Sequence, residues 1–165
     1  MENYRIALTE DNVVNRNSFL QKVDGTANLS LVFIAENGSR CLEALAKLHH
    51  DKLPQVVFMD IEMPVMDGIQ AIRMAKALYP HIHFLVLTVF DDDEKVFEAI
   101  RAGASGYLLK QEPLATIVDA ITYVMQYGGA PMSPAIARKT LRLLSQMTVG
   151  DQLPASERQE MPPLL

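Results

Sequence analysis

The chain has 165 residues, of which 49% are apolar and 21% are charged, and its formal net charge is −5. This is an ordinary composition for a water-soluble protein, and the length allows one domain with a short appendage. The negative net charge argues against nucleic-acid binding through a basic surface. No apolar run reaches membrane-spanning length. The single cysteine excludes an internal disulfide and suits a reducing cytosol.

Apolar runs alternate with amphipathic helical patterns along the first 129 residues. Five runs have the length and residue types of strands, namely residues 5–9, 29–35, 56–60, 83–88 and 106–110. The patterns between and after them predict helices that end near Gly25 and then span about 39–50, 69–78, 91–102 and 113–127. Asp91 is predicted to be the N-cap of the fourth helix, with Glu94 completing a capping box, and Pro113 is predicted to be the first residue of the fifth.

Five repeats of strand and helix predict an α/β protein with a parallel sheet that carries helices on both faces. A closed eight-stranded barrel would need roughly 250 residues, so the sheet is expected to be open. The run that ends at Asp60 shows no alternation, which is typical of a central strand. The periodicity alone leaves the strand order undetermined.

The chain changes character after Gly129, so we predict a main domain at residues 1–129. A sixth helix is predicted within residues 130–147, with Ile136, Ala137, Leu141 and Leu144 on one stripe. Residues 148–165 are polar and contain proline, which predicts a linker or tail.

Four polar features stand where predicted strands end: Glu10-Asp11, Asp60, Thr88 and Lys110. Because the carboxyl ends of parallel strands share one edge, these groups are expected to converge. Three carboxylates in one place repel each other unless a cation intervenes, and Mg²⁺ prefers such oxygen ligands. Asp60 could then act as a nucleophile on phosphorus, while Lys110 and Thr88 bind phosphoryl oxygens.

Each feature also has a structural explanation when it is taken singly. Asp60 and Glu10-Asp11 could cap the helices that follow them, Thr88 could be an ordinary strand-end threonine, and Lys110 could be solvated. The occurrence of all four at successive strand ends favours the functional interpretation.

The chain resembles receiver domains of two-component response regulators over about residues 4–128. The resemblance is carried by Thr9-Glu10-Asp11-Asn12, by residues 59–68 (MDIEMPVMDG), by Leu87-Thr88 and by residues 103–110 (GASGYLLK). It implies a flavodoxin-like (βα)5 fold with strand order 2-1-3-4-5, and phosphorylation of Asp60 by a sensor histidine kinase. It also implies a signalling switch rather than an enzyme. The sequence has no Gly-rich phosphate-binding loop, so we expect no bound nucleotide.

The resemblance implies a role for further residues. Mg²⁺ would be bound by Asp11, Asp60 and the backbone carbonyl of Glu62, with Glu10 acting through water. Thr88 and Lys110 would contact the phosphoryl group, and Tyr107 would be an aromatic switch that turns inward as Thr88 moves. The alternative for Tyr107 is a static, half-buried strand tyrosine.

Two positions depart from the common receiver pattern. Gln111 stands where many receivers have proline, so we predict a trans Lys110–Gln111 bond, since a cis bond would cost about 3 kcal/mol. Val89 stands where alanine or glycine is common. Its bulk is predicted to narrow access to the phosphoryl group and to slow phosphate loss.

Residues 131–137 resemble the segment that follows the receiver in regulators with a LuxR-type helix-turn-helix (NarL/FixJ-like), and residues 153–158 resemble the start of that domain. We therefore expect a cytoplasmic regulator cut short before its DNA-binding domain, which homodimerises through the 91–127 face when phosphorylated.

Two other functions compete with this one. A haloacid-dehalogenase-like phosphatase would carry its nucleophile on the first strand and a second Asp two residues later, whereas here the third strand carries it and residue 62 is Glu. A flavodoxin-like flavin binder is disfavoured by the acidic cluster and the lack of a phosphate-cradling loop.

Overall fold

The computed structural model describes residues 3–147, so the predicted tail at 148–165 lies outside the described residues. Five strands form one parallel sheet in the order β2-β1-β3-β4-β5. The strands are β1 (Tyr4–Thr9), β2 (Leu29–Ala35), β3 (Val56–Met59), β4 (His83–Thr88) and β5 (Gly106–Leu109). The α-helices are α1 (Val13–Asp24), α2 (Gly38–Ala46), α3 (Gly68–Leu78), α4 (Asp93–Ala102), α5 (Leu114–Tyr127) and α6 (Pro134–Gln146). The predicted fold class, strand order and additional C-terminal helix are confirmed.

The core has one apolar cluster on each face of the sheet. Helices α1 and α5 cover one face, while α2, α3 and α4 cover the other. Strand β3 lies at the centre and supplies both clusters, with Phe58 on the α1 and α5 side and Met59 on the opposite side. All four of its residues are fully buried, which explains why its sequence shows no alternation.

The strands β3 and β5 each end one residue earlier than predicted. Asp60 and Lys110 are therefore the first residues of the loops that follow β3 and β5 at the carboxyl edge of the sheet. Their side chains do not have to alternate between the two faces of the sheet as those of strand residues do. Between β1 and β3 the pairing runs directly to this edge, with Thr9 opposite Met59.

Several helix boundaries differ from the prediction. Helix α2 stops at Ala46, and a separate 3₁₀ turn follows at His50–Lys52. The predicted capping box is wrong, because Asp92 is the N-cap of α4 and makes no side-chain capping bond. Pro113 precedes α5 as its N-cap residue instead of starting it.

The predicted apolar stripe of α6 is wrong in part. Ile136 is fully buried, but Leu141 is 67% exposed and Leu144 is 62% exposed. Two contacts orient the helix: Ile136 packs in the core, and Lys139 forms an ion pair with Asp93 of α4. The face that they turn towards the domain differs from the predicted apolar stripe. The two leucines therefore lie outside the buried side of the helix.

Candidate functional site

The carboxyl edge of the sheet brings three of the predicted groups into direct contact. Lys110 Nζ donates to Asp60 Oδ2 at 3.0 Å and also donates to Glu10 Oε1. Asp60 is 7% exposed and Glu10 is 2% exposed, whereas Asp11 is exposed. Carboxylate oxygens of Glu10, Asp11 and Asp60 all lie within 4.8 Å of one another. We call these three acids and Lys110 the acidic cup.

Backbone hydrogen bonds orient the two buried carboxylates. The second oxygen of Asp60 accepts the N–H of Ile61 at 2.8 Å, and the second oxygen of Glu10 accepts the N–H of Asn12 at 3.2 Å. The backbone N–H of Asp60 itself donates to the carbonyl of Thr9 at 3.1 Å. Each carboxylate thus places one oxygen on the backbone and the other on the ammonium group of Lys110.

The loop after Asp60 folds back tightly onto the start of α3. The N–H of Gly68 donates to the carbonyl of Ile61 at 2.7 Å, and a Cβ atom at Gly68 would collide with the backbone carbonyl of Asp60. Only glycine permits this approach. The side chain of Glu62 leaves the cup and pairs with Lys95 of α4 at 3.2 Å. The backbone carbonyl of Glu62 stays a predicted metal ligand.

Burial and the hydrogen bonds of Lys110 act in opposite directions on the pKa values of the cup. Burial raises the pKa of Glu10, the charge of Asp60 raises it further, and the hydrogen bond from Lys110 opposes both. For Lys110, burial lowers the pKa, but the hydrogen bonds to Glu10 and Asp60 outweigh it and the pKa is raised overall. The cup thus contains three carboxyl groups and one ammonium group. Because the negative groups outnumber the positive one, the cup favours binding of an additional cation.

Thr88 and Tyr107 meet at the backbone of Phe90. The Thr88 hydroxyl, at the end of β4, accepts the N–H of Phe90 at 3.4 Å, and the Tyr107 hydroxyl donates to the carbonyl of Phe90 at 2.6 Å. Burial raises the pKa of Tyr107, and the charges of Asp92, Asp91 and Asp60 add to this. The ring is fully buried, not half-buried as the static alternative expects.

A family model described as the response regulator receiver domain matches residues 6–122. The chain belongs to this family. This match confirms the resemblance that the sequence motifs indicated. The receiver-domain family is not a typical enzyme family.

Individual relatives of this receiver domain are transcriptional regulatory proteins of bacteria. DegU of Brevibacillus brevis is 29% identical over 153 residues, which are 93% of this chain and 63% of the relative. LnrK of Bacillus subtilis is 31% identical over 158 residues, 96% of this chain and 68% of the relative. The chain therefore spans about two thirds of the length of these two proteins.

A solved structure shows the same fold. The crystal structure of a LuxR-family two-component response regulator from Aurantimonas sp. SI85-9A1 superposes with a TM-score of 0.78 at 25% identity. The match covers 88% of this chain and all of the other. Among residues 3–147 of this receiver domain, no helix has the length and apolarity that crossing a membrane requires.

The two departures from the receiver pattern have clear structural outcomes. The Lys110–Gln111 bond is trans, as predicted. Val89 follows Thr88 directly and is 62% exposed, so its side chain lies at the surface on the edge that carries the acidic cup. Its effect on phosphate loss stays a prediction.

Lys95 is a residue that the motifs did not identify. Its ammonium group binds Glu62 and also lies 5.5 Å from the centre of the Phe90 ring, so it connects α4 with two loops of the carboxyl edge. Its only sequence signal is its position in the first turns of a helix beside that edge.

Proposed function

We propose that this receiver domain is a phosphorylation-controlled switch of a two-component system, in which a sensor histidine kinase supplies the phosphoryl group and Asp60 accepts it. The observation that carries the proposal is the pair of hydrogen bonds made by Lys110. Its ammonium group donates to the carboxylates of both Asp60 and Glu10 and holds them together at one edge of the sheet. A nucleophilic carboxylate beside a partly buried cation is the arrangement that phosphoryl transfer needs.

The cup fits Mg²⁺, since its donors are carboxylate oxygens and its charge is negative with Lys110 included. We propose that Asp11, Asp60 and the backbone carbonyl of Glu62 hold the ion, with Glu10 acting through water. When bound, Mg²⁺ would neutralise the negative charge that gathers on the transferred group.

The side chains of the cup have distinct roles in the proposed transfer. A carboxylate oxygen of Asp60 forms the new bond to phosphorus while the bond from phosphorus to the kinase histidine breaks. Lys110 stays charged because its pKa is raised, so it can hold a phosphoryl oxygen as a point charge. Thr88 lies at the end of the neighbouring strand and is proposed to donate its hydroxyl to another phosphoryl oxygen. The same aspartyl phosphate would be lost by hydrolysis without an external substrate.

The proposed output is control of an attached DNA-binding domain. The support comes from the relatives, which are named transcriptional regulatory proteins and extend beyond the matched region. The assignment of residues 1–129 to the receiver, 130–147 to a connecting helix and 148–165 to a linker belongs to this proposal, as does a cytoplasmic location. Homodimerisation on phosphorylation is proposed through the 91–127 face. Because α6 packs on α4, the part of this face that is proposed to meet the partner is the part formed by α5.

Titration with beryllofluoride and Mg²⁺ tests the proposed phosphoacceptor. We expect calorimetry to show one site in the wild-type chain, no binding in Asp60→Asn, and unchanged binding in Asp119→Asn, which alters an exposed carboxylate of α5. Equal behaviour of wild type and Asp60→Asn would contradict the proposal. Sustained turnover of a phosphate monoester by the wild-type chain would favour the phosphatase instead.

A further inference from the structure

The two edge strands of the sheet differ in how open they are to pairing with another strand. Along β2 the register with β1 passes from Leu31 to Phe33, so Val32 has no partner and the edge is irregular, as at a β-bulge. Such an irregularity hinders further pairing. Strand β5 pairs with β4 without a register shift. Its outer edge is instead covered by residues 131–133, which we call the strap.

The strap takes up the outward-facing backbone groups of β5. The N–H of Tyr107 donates to the carbonyl of Pro131 at 2.9 Å, and the N–H of Ser133 donates to the carbonyl of Tyr107 at 3.1 Å. The N–H of Leu109 donates to the buried hydroxyl of Ser133 at 3.0 Å. These are the groups that an open edge strand presents to another chain.

Glycine at position 106 admits the strap. A Cβ atom there would collide with the carbonyl oxygen of Pro131. The backbone of Gly106 is not in a left-handed conformation, so the close contact with Pro131, and not the backbone angle, explains the glycine. Strand β5 is therefore built to have another backbone directly beside it.

Helix α6 holds the strap in place. Ile136 is fully buried in the apolar cluster on the α4 side of the sheet. Closer to the surface, Lys139 Nζ binds Asp93 Oδ1 of α4 at 3.1 Å, and both side chains are partly exposed. Because such ion pairs contribute little, Ile136 and the hydrogen bonds of Ser133 supply most of the attachment.

We propose that the strap and α6 are an internal cover of the β5 edge, and that this edge pairs with the β5 edge of a second copy of the chain when the cover is undocked. The cover thus limits self-association of the domain. The proposal does not depend on phosphorylation of Asp60, because none of the contacts that carry it involves the acidic cup.

A second copy fits this edge because β5 is complementary to itself. In an antiparallel pair centred on Tyr107, the N–H and the carbonyl of each Tyr107 bond to those of the other, which replaces both backbone bonds that the strap makes there. Strand β5 carries no charged residue. Lys110, the first charge after it, would lie opposite Ala104 of the second copy and not opposite another lysine, so like charges do not face each other.

The substitution Ser133→Pro is designed to release the strap without disturbing α6. It removes both the N–H that donates to Tyr107 and the hydroxyl that accepts from Leu109. The φ of Ser133 is −57°, which suits proline, and Met132 is paired as a strand residue, which suits the position before proline. The serine hydroxyl makes no capping bond to α6, so the start of the helix is retained.

Sedimentation velocity over a concentration series, without beryllofluoride or Mg²⁺, measures self-association. We expect the association constant of Ser133→Pro to exceed that of the wild-type chain by about ten-fold or more, because two hydrogen bonds no longer hold the strap on the edge. Leu141→Ala, on the exposed side of α6, should behave as the wild type does. A Ser133→Pro chain that associates no more than the wild type would overturn the inference.

Hydrogen exchange shows whether the association uses the β5 edge. In dilute Ser133→Pro the amide of Tyr107 should exchange about five-fold faster or more than in the wild type, since the carbonyl of Pro131 no longer accepts from it. Raising the concentration should slow this amide again, because the second copy then covers the edge. An amide that stays protected at dilution, or stays exposed in the associated state, would contradict the inference.

The substitution Ile136→Ala decides the question if Ser133→Pro does not fold. It removes the buried anchor of α6 and should shift association and exchange in the same directions, while Leu141→Ala changes neither. Equal behaviour of Ile136→Ala and Leu141→Ala would show that the cover does not limit association. Because no phosphoryl analogue is present, failure of Asp60 as the phosphoacceptor would leave all of these outcomes unchanged.

Discussion

Replacing Lys110 by methionine should destabilise the chain strongly at neutral pH. The variant keeps most of the side-chain volume but leaves the buried carboxylates of Glu10 and Asp60 without their shared cation. Removing one partner of a buried ion pair costs about 3–5 kcal/mol, and we take the lower end because the lysine side chain is 16% exposed. Coulomb repulsion gives a similar figure, since two charges within 4.8 Å repel by roughly 3 kcal/mol at an effective dielectric constant of roughly 20.

The loss should depend on pH in a defined direction. The pKa of Glu10 is already raised above its ordinary 4.5, so the folded state binds the proton more tightly than the unfolded chain does. Its contribution to stability is full below pH 4.5 and falls as the pH rises through the folded pKa. Without Lys110 that pKa rises further, so the variant should lose more stability than the wild type between acidic and neutral pH.

Urea unfolding followed by circular dichroism at pH 4.5 and pH 7, without Mg²⁺, measures the effect. Lys95→Met is the control, because it removes an ion pair whose side chains are more exposed, at 29% and 57%, and this should cost less than about 1 kcal/mol. Equal stability of Lys110→Met and wild type at pH 7 would refute the account of the acidic cup. Addition of Mg²⁺ should return part of the stability to the variant.

Three further predictions concern other parts of the molecule. Gly68→Ala should cost about 3 kcal/mol in urea unfolding, since its Cβ would overlap the carbonyl of Asp60; a cost below 1 kcal/mol would show that this approach is not required. Val89→Ala should lose its phosphoryl group faster than wild type after labelling with acetyl phosphate, and equal lifetimes would defeat the prediction. Cys41 is buried, which raises the pKa of its thiol to about 11, so iodoacetamide should modify it at pH 8 only in unfolded chains; rapid modification of the folded chain would contradict this burial.

Strands β1, β3, β4 and β5 were predictable because nearly all of their residues are buried, whereas the edge strand β2 is partly exposed and was predicted from its apolar run alone. The runs at β2 and β4 match the structure at both ends, and the polar residues that interrupt the runs at Asp60 and Lys110 mark the carboxyl edge. Convergence of the acidic residues followed from parallel topology alone. The bonds of Lys110 to two carboxylates at once were not predictable, since they depend on loop geometry that no pattern encodes.

The errors concern regions where tertiary contacts override local patterns. The stripe predicted for α6 is one of two that its leucines allow, and the choice is made by Ile136 and by the ion pairs with Asp93. The same ion pairs engage the first turn of α4, where a capping box at Asp91 was expected. Residues 131–133 pair with the edge of β5, and this sheet contact is too short for any periodicity to predict it.

Intact mass after incubation with acetyl phosphate and Mg²⁺ tests the central claim most directly. The wild-type chain should gain the mass of one phosphoryl group, and it should gain none when a chelator removes the metal. Asp60→Asn should gain none under either condition. Equal labelling of Asp60→Asn and wild type, or a wild-type chain that stays unmodified, would contradict the assignment of Asp60 as the phosphoacceptor.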